Sequence, residues 1–375
     1  MKLAFLAARS SIHTIRWVNA LANRGHEVHL LSIQKGEDAL DERVQVHYLP
    51  VAAPVGYYLN IWTVKRLLIS IKPDILHVHY ASGYGTLARL VGFEPTLLSV
   101  WGSDVFDFPY QNKFNERILQ KNLKAATQIA STSWVMKQQT EKFVHPRLPI
   151  EVTPFGVDIN KFKKMDIGKD SNEIVIGMVK RLEEKYGPRY LIQGTAILLD
   201  RLKDSGHYDV LNAIRLLIVG DGSQFSEMKE LVKKLNLYSI TRFTGAIPHD
   251  EVPKYLNQMD IFCAPSTLDS ESFGVAVVEA SACELPVIVT NVGGLPEVVK
   301  DGETGYIVDP KNPEQIAGKL YELVLDPNKR AKFGQQGRAF VKAHYDWDQN
   351  VSQMEQVYKN LIEIYLRGKE IEVKI

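Results

Sequence analysis

The feature that most limits the fold is an alternation that runs the length of the chain. Short apolar runs are each followed by a segment with helical spacing. Lys2–Ala7, Glu27–Ser32, Asp74–His79, Leu97–Val100 and Gln128–Ser131 read as strands, and an amphipathic stretch from His13 to Arg24, stopped by Gly25, is the first helix between them. The turn-rich Thr153-Pro154-Phe155-Gly156-Val157-Asp158 and the polar stretch Lys161–Asn172 interrupt the series. It then resumes with strands at Ile174–Val179, Arg215–Val219, Ile240–Thr244, Ile261–Ala264 and Val287–Thr290. Helices are expected between them at Tyr190–Leu202, Ser226–Leu235, Glu251–Gln258 and Gly274–Ala282, and beyond them at Pro296–Lys300 and Pro313–Leu325. Such alternation predicts parallel sheets covered by helices on both faces. A chain of 375 residues is too long for one core, so two Rossmann-like α/β domains are expected, residues 1–165 and 166–346, facing a cleft that is the default ligand site. The amphipathic run Trp347–Leu366 places a last helix in residues 347–375, packing back across the domains to the N-terminal one.

Several functions are disfavoured early. A sheet built to hold a nicotinamide cofactor carries Gly-x-Gly-x-x-Gly after its first strand, where this chain has Ala8-Arg9-Ser10-Ser11-Ile12-His13. The N-terminal apolar run is short and flows into a helix, so it reads as a buried strand rather than a signal peptide, and no run is long enough to span a bilayer. The only cysteines, Cys263 and Cys283, make no disulfide framework and have no metal-ligand spacing, which points to a reducing, cytoplasmic setting. Charge is uneven. Residues 1–165 hold 20 Lys and Arg against 13 Asp and Glu, and the remainder 25 against 31. A basic N-terminal half suits an anionic partner such as a membrane surface or a charged acceptor. Without a nucleic-acid motif, nucleic acid is the least favoured partner.

The densest chemistry lies in Ser270-Glu271-Ser272-Phe273-Gly274-Val275-Ala276-Val277-Val278-Glu279. On one continuous helix the two carboxylates would be about 80° and roughly 12 Å apart, which rules out a shared acid/base dyad. If Glu271 instead precedes a helix opening near Gly274, each carboxylate holds a different part of one extended ligand, with the helix N-terminus between them facing an anion. A sugar nucleotide has that layout. Two solvated glutamates on a buried helix are the plain alternative. Lys180, Arg181 and Lys185 follow directly on a strand, where cations would face a ligand crevice and offset charge on a leaving diphosphate without a metal, unless they form an ordinary solvated Lys/Glu loop. Gly220-Asp221-Gly222 is too short a pattern to prove a nucleotide site. His77-Val78-His79 puts two imidazoles on one strand face without an evident third metal ligand, and Asp346-Trp347-Asp348 reads as a helix cap rather than a metal site. Gln111–Ala126 is a basic amphipathic helix, read as solvated with a core-facing stripe ahead of a membrane contact.

Together these segments resemble the retaining glycosyltransferases of family 4, which have the two-Rossmann GT-B fold. Glu271-x7-Glu279 with Phe273-Gly274 is similar to that family's Glu-x7-Glu signature. Leu217–Gly222, Val292-Gly293-Gly294-Leu295-Pro296-Glu297 and Gly302-Glu303-Thr304-Gly305 agree with it, and Arg24–Val28, Asp74–His79 and Phe155–Asp158 match more loosely. The resemblance implies that Glu271 contacts hydroxyls of the transferred sugar, that Ser272, Phe273, Gly274 and Val275 face sugar or diphosphate, and that Glu279 holds the ribose. Lys180 and Lys185 would take the diphosphate, with Arg181 competing for the first position, and Gly245–Pro248 would meet the base. Two segments depart from the family. Ser10-Ser11-Ile12-His13 replaces a glycine-rich loop, and Trp101-Gly102-Ser103-Asp104 replaces His-Gly-x-Asp, which leaves Asp104, His13 or His79 to take up the missing histidine's part. Acceptor recognition would fall to N-terminal loops such as Ala52–Asn60 and Gly83–Gly85, with Tyr84.

The implied activity is transfer, with retention, of a sugar from a nucleotide-sugar donor, a UDP-sugar, to a glycan or lipid-linked acceptor. No metal and no resident cofactor are expected, and the enzyme would be cytoplasmic, with peripheral contact to an anionic membrane through its basic half. A UDP-sugar epimerase on the same fold and a non-catalytic nucleotide-sugar-binding protein are the alternatives.

Overall fold

A computed structural model describes residues 1–372 except Asp38 and residues 169–171, with side chains through residue 369. The chain forms two units, Met1–Phe155 joined by the C-terminal stretch from Asp348, and Gly156–Trp347. The first holds strands β1 (Lys2–Leu6), β2 (Glu27–Ser32), β3 (Val44–Tyr48), β4 (Ile75–His79), β5 (Thr96–Val100), β6 (Gln128–Ser131) and β7 (Glu151–Val152). Their order in the sheet is β3-β2-β1-β4-β5-β6-β7. The second unit holds β8 (Ile174–Val179), β9 (Ile214–Val219), β10 (Thr241–Phe243), β11 (Ile261–Ala264), β12 (Val287–Thr290) and β13 (Gly305–Val308), ordered β10-β9-β8-β11-β12-β13.

Every pairing in both sheets is parallel. Parallel strands need helical crossovers, and those helices cover both faces, so β4 and β5 are buried at every residue. Each unit has its own core: Leu6, Leu76, Val78 and Leu98 centre one, and Ile176, Leu216, Ile218 and Ile288 the other.

In each sheet the winding starts at one strand, runs outward, then crosses back to that strand's other side. The reversals lie between β1 and β4, paired Leu6 to Val78, and between β8 and β11, paired Phe262 to Gly177. The chain emerging from these strand ends leaves a crevice, which is where open α/β sheets bind ligands.

The amphipathic run forms the helix Trp347–Glu372, which from Asp348 on belongs to the first unit. Tyr358 is fully buried and its hydroxyl lies 2.6 Å from His77 Nδ1. Glu355 joins Arg24 at 2.7 Å and His26 at 2.6 Å. Burial with these two partners leaves the Glu355 carboxyl below its usual range, the partners outweighing desolvation.

Among the elements that escape the sequence pattern are β3, β7, β13 and the helix Pro327–His344. That helix starts as a capped one should, with Asp326 accepting from the Lys329 amide at 2.8 Å and Pro327 in its first turn. Its buried face, however, is Phe333, Gly334, Gly337 and Val341, and glycines leave no apolar stripe to read. The helix expected at Pro296–Lys300 shrinks to one 3₁₀ turn, Leu295–Glu297. The basic helix Lys113–Ala125 has the core-facing stripe its pattern predicts. Leu119, Asn122 and Leu123 face inward, and Asn122 donates to the Ala81 and Ser82 carbonyls at 2.8 and 3.0 Å. Asp346 pairs with Val157 as an isolated bridge, and among the described residues no three His, Cys, Asp or Glu side chains group as metal ligands.

Candidate active site

The reversal between β8 and β11 brings together charges that lie far apart in sequence. Lys180 leaves the end of β8, and Glu271 sits in the loop after β11. Their side chains form an ion pair, Lys180 Nζ to Glu271 Oε1 at 2.9 Å, with the carboxylate only 8% exposed and the ammonium 25%. Burial would lower the Lys180 pKa, but Glu271, Tyr186 and Glu279 outweigh it, and the net shift is upward. The lysine is therefore charged at neutral pH. Lys185 reaches the Ser270 carbonyl at 3.3 Å. The Tyr186 ring lies under both ammonium groups, 4.7 Å from Lys180 Nζ and 5.2 Å from Lys185 Nζ. Two cations thus lie close to one tyrosine ring beside a buried carboxylate. The solvated-loop alternative does not describe Lys180. It does describe Arg181, whose side chain is 76% exposed and meets Glu183 at 3.4 Å.

Glu279 occupies a different position. The helix Val275–Ala282 opens after Gly274, whose φ of +90° is a left-handed conformation that a larger residue would resist. Glu271 therefore lies outside the helix and Glu279 within it, as the extended-ligand reading requires. Glu279 is 4% exposed and accepts from His249 Nε2 at 2.9 Å. His249 is a partner that spacing alone does not reveal, although it directly follows the Gly245–Pro248 turn. Ser272 is buried, Phe273 packs its ring 5.4 Å from Tyr345, and Val275 opens the helix, so what Phe273 can offer a ligand is its backbone. The buried Ser270 hydroxyl has no partner among the described residues.

A cavity of about 700 Å³ adjoins this group, lined by Lys180, Arg181, Glu183, Gly222, Ile247 and His249 among others. That size suits a nucleotide. Its walls explain the glycine motifs. Gly220 has φ +134°, and a Cβ there would fall 1.9 Å from the Lys180 carbonyl oxygen. The Gly220–Gln224 loop is tied to the lysine loop by Lys180 N to Val219 O at 3.0 Å, Leu182 N to Asp221 O at 3.0 Å and Gln224 N to Leu182 O at 2.9 Å. Gly220-Asp221-Gly222 is therefore backing for the cationic loop. The Val292–Glu297 motif works likewise on the other side: the Gly294 amide holds the Glu271 carbonyl at 3.0 Å, and the Gly293 amide the Asp269 carboxylate at 3.0 Å. Gly245 takes the Gly220 amide on its carbonyl at 3.0 Å, and Pro248 precedes the 3₁₀ turn that carries His249.

The reversal in the first unit is dominated by aromatic rings, with the buried Arg9 in the loop after β1. His79 ends β4, bonds Thr14 Oγ1 through Nδ1 at 3.1 Å, and lies 4.2 Å from the Trp101 ring. His13 stacks on Phe155 at 4.1 Å and stands edge-on to Trp101 at 5.9 Å. Burial holds the His79 pKa well below its ordinary value and His77's down to about 3, so both are neutral. His77 bonds Ser99 Oγ at 2.7 Å and Tyr358, which makes it structural. A cavity of about 220 Å³ opens among Ser11, Thr14, His79, Tyr84 and Trp101. The Tyr84 hydroxyl accepts from the Ile33 amide at 3.0 Å, and burial lifts its pKa to about 12.

Asp104 does not stand ready to replace the missing histidine. It is fully buried, and its oxygens accept the Ala81, Trp101 and Gly102 amides at 2.8, 3.1 and 2.8 Å. Desolvation raises its pKa despite those three donors. Its carboxylate is committed to folding the Trp101 loop, and this geometry corrects the expectation of a catalytic Asp104.

Comparison with known proteins fits both units. The family described as glycosyl transferases group 1 matches residues 160–340, and the one described as glycosyl transferase 4-like matches residues 2–133. The chain belongs to the group 1, family 4-like glycosyltransferases. A glycosyltransferase of Methanocaldococcus jannaschii is 27% identical over 343 residues, 89% of this chain and 90% of its own length. A GDP-mannose-dependent phosphatidylinositol monomannoside mannosyltransferase of Mycobacterium tuberculosis is 28% identical over 355 residues, 88% of each. HepE of Anabaena, solved in complex with UDP, shares the fold at a TM-score of 0.81 and 18% identity, covering 96% of this chain and all of that one. In this glycosyltransferase the charged groups lie within residues 160–340, and the neutral pocket lies within residues 2–133.

Proposed function

We propose that this glycosyltransferase moves a sugar from a nucleotide-sugar donor to a glycan or lipid-linked acceptor with retention of anomeric configuration. The observation that carries the reading is the buried Lys180–Glu271 pair at the β8/β11 reversal, with Lys185 sharing the Tyr186 face. Lys180 and Lys185 hold the donor diphosphate. Glu271 bonds hydroxyls of the transferred sugar, and Glu279, steadied by His249, bonds the ribose. The Gly274 and Val275 amides approach the sugar and diphosphate, and the Gly245–Pro248 turn meets the base. Arg181 lies at the rim of the cavity, not in the diphosphate position.

The bond between the anomeric carbon and the diphosphate breaks, with its electron pair leaving on the phosphate oxygen. The acceptor oxygen forms its bond on that same face, and its proton passes to the departing phosphate. Two fixed cations stabilise the charge that builds on the leaving group, which is where preorganised electrostatics is most effective. No protein nucleophile takes part, and no metal or cofactor is assigned a step. The neutral cavity around His79, Tyr84 and Trp101, with His13 beside it, receives the acceptor.

The uridine nucleotide is favoured because HepE was solved with UDP, although the mycobacterial relative is named for GDP-mannose. A thermal-shift panel of UDP- and GDP-sugars tests the donor, since a bound ligand raises the melting temperature with its occupancy. The expected result is a shift with one nucleotide family and turnover once an acceptor is added. An epimer appearing by NMR when donor is incubated alone would overturn the transfer reading.

A further inference from the structure

The segment between Glu42 and Asp74 contains no Asp or Glu, but it carries Arg43, Lys65, Arg66 and Lys72. Its helices are Gly56–Leu59 and Ile61–Ile71. The longer one buries Val64, Leu68 and Ile71 against the first unit's core. A surface helix with that stripe should be polar on the opposite side. This one is not. Trp62 and Ile69 are each 73% exposed, and the turns leading in expose Leu59 at 61%, Val55 at 55% and Tyr58 at 46%. At about 100° per residue, Trp62, Lys65, Arg66 and Ile69 fall within an arc of roughly 100°, facing away from Val64, Leu68 and Ile71. The outer face is therefore a large apolar stripe edged by cations and free of anions, with Lys65 Nζ 5.4 Å from the Trp62 ring.

The orientation of this face is fixed. Asn60, at the junction of the two helices, is fully buried and clamps Val51, accepting its amide at 3.1 Å and donating to its carbonyl at 2.8 Å. Buried Gly56 sits so close to the Val51 carbonyl that a side chain there would collide with it.

We infer that the outer face of Val55–Ile69 docks on the surface of an anionic phospholipid bilayer, with Trp62, Leu59 and Ile69 entering the interfacial layer and Lys65 and Arg66 meeting the headgroups. The chemistry argues for this occupant. A protein partner would suit the apolar residues alone, whereas the exclusion of every acid from the segment suits a surface of uniform negative charge, and Trp and Tyr favour the bilayer interface. The face is also not the helix that basic patterning singles out. Lys113–Ala125 carries more cations, but Phe114 is its only strongly exposed large apolar residue. The inference deepens the lipid-linked reading of the acceptor while resting on surface chemistry alone, so donor binding and vesicle binding succeed or fail separately.

The test is co-sedimentation of the full chain with phosphatidylcholine vesicles, with and without phosphatidylglycerol. Binding is expected only to the phosphatidylglycerol vesicles, weakening as salt rises. Trp62→Glu should lower the partition coefficient about tenfold or more. It should leave the melting temperature and the nucleotide-sugar thermal shift in place. Trp134→Glu, on another exposed tryptophan of the same unit, should bind as wild type. Three results would overturn the inference: no binding of the wild type to phosphatidylglycerol vesicles at low salt, equal losses in the two variants, or a concentration-dependent dimer in the absence of vesicles that Trp62→Glu dissolves.

Discussion

The two units reverse their winding in the same way, and the two crevices that result differ in kind. At the β8/β11 reversal, Lys180, Lys185, Glu271 and Glu279 supply charges of both signs, held by Tyr186 and His249. At the β1/β4 reversal, His13, His79 and Trp101 form an aromatic wall, and the nearby carboxylate of Asp104 is turned into its own loop. Topology dictates where each crevice lies; side chains decide what it holds. A charged crevice can bind a diphosphate and stabilise its departure. A neutral one can shape the entry of a hydroxylated acceptor without competing for those phosphates.

The largest expected effect comes from removing charge at the first of these places. Glu271→Ala should lower kcat by about 10²–10³-fold, the usual cost of losing one preorganised polar contact to the reacting group. It also strips Lys180 of its partner, so Glu271→Gln is the companion variant, and a melting curve for each separates chemistry from folding. Next, Lys185→Ala should weaken donor binding by about 1.5–3 kcal/mol, the value of a hydrogen bond to a charged group. Titration calorimetry reads this directly, and an unchanged donor Kd would remove Lys185 from the diphosphate. Glu279→Gln should cost donor affinity about 1–2 kcal/mol while leaving kcat near wild type, because the ribose is remote from the bond that breaks.

Trp101→Ala sharpens the comparison from the other side. It should raise the acceptor KM and leave the donor Kd within about twofold, because its neighbours His13 and His79 belong to the neutral crevice. A large loss of donor affinity would erase the division of labour. A separate effect concerns stability. The His77 pKa is about 3 in the folded chain, below the unfolded value near 6.5. The unfolded chain thus binds the extra proton between these values, so stability present above pH 6.5 is lost as pH falls toward 3. The melting temperature should decline over that window, and His77→Gln should flatten the decline.

How far the sequence revealed this differs between the crevices for the same physical reason. Charges at fixed spacing after a strand are visible in text: Lys180 pairs with Glu271 and Lys185 lies beside it, while Glu279 stands apart on its helix with His249. Their supports are less visible. Tyr186 looks like any loop tyrosine until two ammonium groups lie over it, and His249 gains a meaning only when Glu279 arrives from another element. Gly220 and Gly294 read only as parts of short motifs, yet one makes room for the Lys180 carbonyl and the other pins Glu271. In the neutral crevice the text suggests Asp104 as a stand-in for a missing histidine, because burial and three backbone donors leave no trace in composition. The fold followed the same rule. Buried strands such as β4 and β5 announce themselves, whereas the edge strands β3 and β13, and a helix whose inner face is partly glycine, do not.

The central claim is that the ionic crevice of Gly156–Trp347 alone binds the donor. It is tested most directly by calorimetric titration of UDP, with GDP alongside, into the wild type, Lys180→Ala and Trp101→Ala. The account predicts saturable binding of one nucleotide to the wild type, a loss of about tenfold or more in Lys180→Ala, and no change in Trp101→Ala. Equal affinity in the wild type and Lys180→Ala would contradict it.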